Sequence, residues 1–433
     1  MDDKTVQNDE VYEYAFEEVP QKKRKGLISL IVVLTGYPLT LLNFVYGGQV
    51  GVGLSLSKAI LVLLVGNAFL LTVVILTGII AFKTGLSTAF LSKRAFGKSG
   101  SHIFSLLLAG SAVTFVAMNG DIFARMIKST FASWPIPVSV TAVIVILVWV
   151  ISAMNGYKGL FVISSLGVPA AFFFCMYGVY AAGVSTNWFE GVTSYVPENP
   201  MTFSAATAAI VGSFIFGSTI TPDVLRYAKS KLHVVITGFI AFFIGCFCLQ
   251  LAGAFVAIST GEGDFTIAMA SLGLGLVAFI AAIFAVWTTQ DNNIYGASLA
   301  IQNIIKDTTY YGKIKHSHIA STVAILAAIL AFGGIYTHVL PIIQFLSLLV
   351  PPVPAIIIAE EFFVKNSKSN ILANKSAILS WFFGGLASYI CLKANFFVPP
   401  IIGILTAGIL YILFEKIKNK KIIKGESKDK AIG

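Results

Sequence analysis

The chain has 433 residues, of which 57% are hydrophobic and only 12% are charged, and its mean hydropathy is +0.85. A soluble globular domain does not need that much apolar surface, so the composition excludes an ordinary soluble protein and indicates a protein embedded in lipid. The net charge of +10 would suit a nucleic-acid partner only if a soluble domain presented a basic face, and no loop between the apolar segments is long enough to build one.

Twelve apolar segments follow one another along the chain, each long enough to cross a bilayer as a helix of about 20 residues. They span residues 27–52, 57–82, 101–127, 136–155, 159–184, 204–225, 232–258, 266–302, 319–335, 337–359, 374–391 and 397–415. The first segment lacks the cleavage pattern of a signal peptide, so we expect it to be retained as a span. The sequence therefore predicts an all-α membrane protein with twelve transmembrane helices.

Basic residues predict the orientation of these helices. All but four of the 30 Lys and Arg fall in the two tails and in alternate loops; the exceptions are Lys58, Arg125, Lys128 and Lys393. The positive-inside rule then places both termini in the cytoplasm. Anionic lipid headgroups are the expected partners of the clustered lysines.

The first and the sixth segments carry helix-breaking residues in mid-membrane. The first contains Leu34-Thr-Gly-Tyr-Pro-Leu39 and then Tyr46-Gly-Gly-Gln-Val-Gly51, and the sixth contains Gly212 to Asp223. Breaks five segments apart are typical of a five-plus-five inverted repeat, in which freed backbone groups line a site at the midplane. Gly47 and Gly48 could equally serve only to let two helices pack closely.

The eighth segment holds six consecutive polar side chains, Thr288 to Asn293, directly after Trp287. Polar groups at membrane depth are costly, so this cluster indicates a functional site. The four cysteines are interpreted as small packing residues inside spans, and the five histidines lack ligand spacing, so no metal cofactor is predicted. Asp121, Asp223 and Asp291 leave proton coupling open, although Asp121 pairs more simply with Arg125 one turn on.

Several of these motifs together resemble the nucleobase:cation symporter-1 family, in particular its cytosine permeases. The matching stretches are Gly212-Ser-Phe-Ile215, Thr219-x-Thr-x-Asp223 with Arg226, Trp287-Thr-Thr-x-Asp-Asn292 with Tyr295, and Gly47-Gly-x-x-Gly-x-Gly-Leu-Ser55. The resemblance covers essentially the whole chain. It implies a LeuT-like transporter, not an enzyme, that has the five-plus-five inverted repeat with two extra carboxy-terminal helices and works by alternating access.

The organisation that follows has four parts. We expect a cytoplasmic tail at residues 1–25, a ten-helix transport core at 26–365, two additional helices within 366–415 and a basic cytoplasmic tail at 416–433.

The resemblance also implies a cation site where the broken first helix meets the eighth. The hydroxyls of Thr288 and Thr289 and the carbonyls of Gly36, Leu39 and Ala285 would bind Na⁺, a hard cation that prefers oxygen ligands. The two threonine hydroxyls could instead bond to carbonyls one turn earlier in their own helix.

In the resembled permeases a flat base lies between two aromatic rings. Here the corresponding residues are Phe214 and, in place of the usual Trp, Phe115. Phe216 stands where the relatives have Ser, and Gln290 where they have Asn. Gln290 and Asn292 each offer a donor and an acceptor that suit the edge of a pyrimidine. Either phenylalanine could also be an ordinary packing residue.

We therefore expect a secondary active transporter of the bacterial plasma membrane that imports a nucleobase, above all cytosine, with Na⁺ or H⁺. Hydroxymethylpyrimidine, the pyrimidine moiety of thiamine, is the main rival because the polar edge of the pocket has changed. A channel would need repeated polar rings along a pore, and an enzyme a convergent catalytic set. No cofactor besides the ion, no nucleic acid and no obligate protein partner is predicted.

Overall fold

The computed structural model is helical throughout the part that it describes, which comprises residues 14, 17–185, 189–262, 271–273, 276–338, 342, 345–346, 348–366 and 370–429. Within those residues the pairing between extended segments is a single isolated bridge from Lys25 to Ala228. Seven of the described helices are long and apolar enough to span a bilayer. The chain is an integral membrane protein.

The helices are numbered here in chain order. They are α1 Leu27–Gly36, α2 Leu41–Gly53, α3 Leu56–Thr84, α4 Thr88–Phe96, α5 Lys98–Thr130, α6 Val138–Ala153, α7 Gly156–Ser185, α8 Phe189–Thr193, α9 Phe203–Ile220, α10 Pro222–Leu225, α11 Lys231–Thr260, α12 Leu276–Ile305, α13 His316–Phe332, α14 Pro352–Ala359, α15 Lys375–Lys393 and α16 Pro399–Asp429. Helix α11 contains a π-helical stretch, Phe239–Gly245, and α14 continues as a π-helical turn, Glu360–Val364.

Helices occupy most of the twelve expected spans. The short apolar helices α1, α6 and α13 coincide with parts of the first, fourth and ninth. The start of the eighth span, at 266–270, and much of the tenth, between 339 and 347, lie outside the described residues. The count of twelve therefore stays a prediction.

The first span is interrupted where the sequence indicates. Helix α1 ends at Gly36, and α2 begins at Leu41 with the Thr40 hydroxyl accepting from the Leu42 N–H at 3.3 Å. Pro38 contributes to this break because it has no N–H to donate to a helix. The break leaves the last carbonyls of α1 without the donors that a continuing helix would supply.

Gly47 and Gly51, by contrast, lie inside α2 and serve close packing. A Cβ at Gly47 would lie 2.0 Å from the Gln250 carbonyl oxygen of α11, and one at Gly51 would lie 2.7 Å from the Cα of Ala254. On the opposing helix, a Cβ at Gly253 would lie 2.2 Å from the Phe44 carbonyl oxygen. Small residues on both sides let the two backbones approach, as at other membrane helix interfaces.

The expected mid-membrane break in the sixth span is wrong. Helix α9 runs without interruption from Phe203 through Gly212 to Ile220, and the chain turns only at Thr221, just before Pro222 begins α10. Gly217 has a packing role instead, since a Cβ there would lie 2.2 Å from the Phe214 ring. Its missing side chain makes room for that ring within the same helix.

The helices pack in two groups joined by α7. In one group α2 packs on α11 and α9 packs on α3; in the other α5, α6, α12 and α13 pack together. Helix α7 contacts α1, α11 and α12, while α14, α15 and α16 contact one another. This arrangement brings the break between α1 and α2 against the polar cluster of α12.

Candidate substrate and cation site

Thr289 joins α12 to the broken first span. Its hydroxyl donates to the Leu39 carbonyl at 2.9 Å and lies 3.4 Å from the Gly36 carbonyl oxygen. The carboxyl end of a helix carries partial negative charge, and these carbonyls lie at or just beyond the end of α1. Oxygens from two carbonyls and a hydroxyl are the ligand type that a hard cation prefers.

Thr288 contacts the other side of the break. Its hydroxyl lies 2.6 Å from the hydroxyl of Ser164 on α7. A Cβ at Gly36 would lie 2.2 Å from Thr288 Oγ1, so only glycine permits this approach. Ala285, one turn before Thr289 on the same helix, is buried. Ser164 was not predicted from the sequence, although a serine pair, Ser164 and Ser165, in an apolar span was an available signal.

A small central cavity opens beside Thr289. Its lining comes from four helices and the break, namely Thr40, Leu42, Phe115, Asn119, Ser213, Phe214, Gly217, Thr289 and Asn293. The cavity volume is about 10 Å³, which is room for no more than about one water molecule. A larger ligand enters only if the surrounding rings move.

Three of the predicted substrate residues are aromatic, and they meet around this cavity. Phe115 and Phe214 both line it. The Phe115 ring stacks on Phe216, with 5.2 Å between the centroids and 21° between the planes. Phe214 instead meets Tyr37 edge to face at 5.2 Å. A base between Phe115 and Phe214 requires the rings around the cavity to move apart, because the cavity volume is only about 10 Å³.

The two predicted polar edge residues are absent from the lining of the central cavity. Asn292 Nδ2 donates to the Thr288 carbonyl of its own helix at 2.9 Å. Gln290 Oε1 accepts from Asn293 Nδ2 at 3.4 Å, while Gln290 Nε2 is buried without a partner among the described residues. Asn293, the last residue of the polar cluster, lines the cavity and accepts from the Tyr37 hydroxyl at 3.1 Å.

Asn119 and Thr40 are polar lining residues that were not predicted from the sequence, and Ser213, inside the motif at 212–215, was given no role there. Asn119 Oδ1 accepts from the Thr40 hydroxyl at 2.9 Å, and its Nδ2 donates to the Phe115 carbonyl at 2.8 Å. Asn119 follows Phe115 by one helical turn and so lies on the same face of α5. That spacing was the signal that could have found it.

The three candidate proton carriers lie away from the central cavity. Asp121 pairs with Arg125 at 3.0 Å, as predicted. Asp223 Oδ1 accepts from the Thr88 N–H at 2.8 Å. Asp291 Oδ1 accepts from the Ser152 hydroxyl at 2.6 Å, and its other oxygen is buried with no partner among the described residues.

Comparison with known proteins identifies the family of the chain. The family described as permease for cytosine/purines, uracil, thiamine, allantoin matches residues 18–409. Curated cytosine permeases of Escherichia coli, from strain K12 and from O157:H7, are each 28% identical over 407 residues, covering 93% of this chain and 94% of theirs.

Two kinds of solved transporter share the fold. Mhp1, a nucleobase-cation-symport-1 family transporter in a closed conformation with bromovinylhydantoin bound, superposes with a TM-score of 0.79 at 16% identity, covering 95% of this chain and 96% of that one. A Na⁺-coupled sialic acid symporter in an outward-open state gives a TM-score of 0.65 at 11% identity, covering 95% of each chain. At such identities the likeness shows the fold alone.

Proposed function

We propose that this chain, which belongs to the family of permeases for cytosine/purines, uracil, thiamine and allantoin, imports a planar nucleobase, above all cytosine, together with Na⁺ or H⁺. Members of the family are permeases and not enzymes, so the chain is a membrane transporter. We further propose the bacterial plasma membrane as its location, cytoplasmic termini, and a ten-helix core at residues 26–365 followed by two additional helices.

The position of Thr289 is the main observation that supports this proposal. Its side chain lines the central cavity, and its hydroxyl reaches the Leu39 and Gly36 carbonyls of the broken helix. A cation held by these oxygens would therefore lie next to a base in the cavity. Each ligand would stabilise the same arrangement of the break against α12, and such coupling between two sites is reciprocal.

The other residues that line the central cavity would recognise the base. Phe115 and Phe214 offer ring faces for stacking, and the amides of Asn119 and Asn293 offer donors and acceptors for the edge of a pyrimidine. Gln290 acts on the base through its contact with Asn293. Asn292 acts on the cation side through its bond to the Thr288 carbonyl.

Hydroxymethylpyrimidine remains the second candidate substrate. The observation that favours it is Phe216, which stacks on Phe115 where the resembled permeases have a serine hydroxyl. Without a serine hydroxyl at position 216, the site has one fewer polar group that could select the unsubstituted edge of cytosine.

Uptake into proteoliposomes tests the proposal. Radiolabelled cytosine, uracil and hydroxymethylpyrimidine are offered under a Na⁺ gradient and under a pH gradient applied separately. We expect one of them to accumulate against its own gradient with one of the two ions. Equilibration without accumulation would indicate a channel, and the absence of uptake of every compound would contradict the proposal.

A further inference from the structure

A second, larger cavity lies outward from the central one between the same two helices. Its volume is about 360 Å³, and it is lined by Tyr46 and Gln49 of α2, by one face of α9 including Ala205 and Gly212, and by Asn395 and Phe397 before α16. The central cavity takes Leu42 from α2 and Ser213 from α9. One helical turn, about 6 Å of rise, separates Leu42 from Tyr46.

The displacement from the central cavity to the outer cavity indicates an access route at one end of the molecule. The opposite ends of α1 and α10 are held together near Lys25, whose N–H donates to the Tyr227 carbonyl at 2.7 Å. The outer cavity therefore lies at the end of the molecule remote from that contact. A solute that approaches the central cavity from this end passes between α2 and α9.

Two polar side chains of α2, Tyr46 and Gln49, border the outer cavity. Tyr46 is only 6% exposed, and Gln49 is half-buried. Both side chains border the cavity, so a ligand there could bond to them.

The shape and charge of the lining restrict the ligand. Tyr46 and Phe397 supply aromatic surface, and Ala205, Ala208 and Gly212 leave a flat apolar face on α9. No Asp, Glu, Lys or Arg is among the residues that border this cavity. A neutral, flat molecule with donors and acceptors at its edge fits these features, whereas an ion would find no counter-charge.

We propose that the outer cavity is a second binding site for a neutral planar heterocycle, which occupies it before passing to the central cavity. This inference rests on the proposed transport of a nucleobase. It adds Tyr46, Gln49 and Phe397 as residues that set the rate of capture without contacting the centrally bound base.

Site-directed labelling tests occupancy directly. The background variant is Cys391→Ala, because Cys391 lines the same cavity, and the reporter is Ala205→Cys, reacted with a membrane-impermeant thiol reagent. Cytosine at about ten times its dissociation constant should slow labelling about tenfold. The same protection should persist when Phe214→Ala weakens the central site, which separates occupancy of the outer cavity from closure around a centrally bound base.

Transport kinetics provide the second arm. Gln49→Leu removes the amide that borders the cavity and should lower the initial rate of uptake at low cytosine concentration about tenfold. Equilibrium binding to the central site should be unchanged. Ser259→Ala is the matched control, since its hydroxyl bonds within α11 to the Phe255 carbonyl at 2.8 Å and does not border the cavity.

The outcomes separate this inference from the proposed function. Unprotected labelling in the Phe214→Ala background, or a Gln49→Leu protein that folds and takes up cytosine at the normal rate, would overturn the outer site alone. If the unaltered protein transports no heterocycle, the proposed function fails, and the labelling experiment still reports whether the outer cavity binds cytosine. Phe397→Leu, at a half-exposed ring, repeats the kinetic arm should Gln49→Leu fail to fold.

Discussion

At the scale of single residues, Thr289 lies between the proposed cation site and the proposed base site. The hydroxyl bonds to carbonyls of the broken helix, while the rest of the side chain borders the central cavity. Thr288 does not border that cavity, and its hydroxyl faces Ser164. Adjacent threonines on one helix therefore have different surroundings, and their substitutions should have different consequences.

Thr289→Val keeps the shape of the side chain and removes the hydroxyl. We expect it to abolish Na⁺-stimulated cytosine binding, because an oxygen of the cation set is lost beside the base. Thr289→Ser, which keeps the oxygen, should retain the stimulation. Cytosine binding to purified protein, measured with and without Na⁺, tests this prediction. Normal Na⁺ dependence in the Val variant would show that the Thr289 hydroxyl is not a cation ligand.

Phe214→Ala removes one ring from the central cavity. Stacking on an aromatic side chain contributes about 1 to 3 kcal/mol per base, so cytosine binding should weaken about five- to two-hundredfold. Phe214→Trp should keep most of the affinity. Phe382→Ala, at a ring that is 57% exposed on α15, serves as the control and should bind normally. Equal affinity for cytosine in the two alanine variants would show that Phe214 does not contact the base.

Gln290 and Asn292 should differ in the kind of defect that they produce. Gln290→Ala removes the hydrogen bond that Gln290 accepts from Asn293, which lines the cavity. The variant should therefore change the rank order of affinities for cytosine, uracil and hydroxymethylpyrimidine. Asn292→Ala breaks a bond to the Thr288 carbonyl and should reduce uptake of all three alike. Competition profiles distinguish the two effects, and an unaltered order in the Gln290 variant refutes its assignment.

At the scale of helices, the contact between α2 and α11 fixes the outer half of the broken span. The backbones approach closely at Gly47 and Gly253. Beside them Gln250 donates to Asn43 at 3.0 Å and accepts from Asn67 at 2.7 Å, which links α11 to both α2 and α3. The outer half is thus fixed by packing on α11, and the inner half, α1, packs on both α7 and the first part of α11.

Gly47→Ala should therefore disrupt this contact. The added methyl would meet the Gln250 carbonyl oxygen at 2.0 Å, and overpacking of this kind costs about 1 to 3 kcal/mol. Gly110→Ala is the matched control, because nothing lies within 4 Å of a Cβ there. Thermal unfolding in detergent should show a lower midpoint for the first variant only. Equal midpoints would show that the helices separate without loss of stability.

At the scale of the whole molecule, local signals in the sequence predicted the break in the first span, but they did not predict contacts between distant segments. The break before Leu41 was predictable because Gly36 and Pro38 act on their own backbone. The expected break in α9 was wrong because Gly217 makes room for the Phe214 ring, three residues earlier, within one uninterrupted helix. The pairing of Phe115 with Phe216 depends on how α5 and α9 pack, so it required the structure.

The two ends of the molecule also differ, and this asymmetry was not predictable from composition. At the end near the amino terminus, Arg226 is fully buried and donates to the Tyr295 hydroxyl at 3.0 Å and to the Tyr14 carbonyl at 2.9 Å. Arg24 donates to the Phe82 carbonyl at 2.8 Å and to the Ala228 carbonyl at 3.1 Å. The opposite end holds the outer cavity, so the structure is closed at the end that contains Arg24.

Arg24→Ala should weaken that closure. Each hydrogen bond from a charged donor contributes about 1.5 to 3 kcal/mol, so its loss should raise the population of molecules open at this end about tenfold or more. A cysteine in place of Ser218, which is buried one residue beyond Gly217 of the central cavity, reports the opening through its rate of reaction with a soluble thiol reagent. Lys22→Ala, an exposed position in the same segment, is the control. We expect faster labelling only with Arg24→Ala, and equal rates in the two variants would show that Arg24 does not hold this end closed.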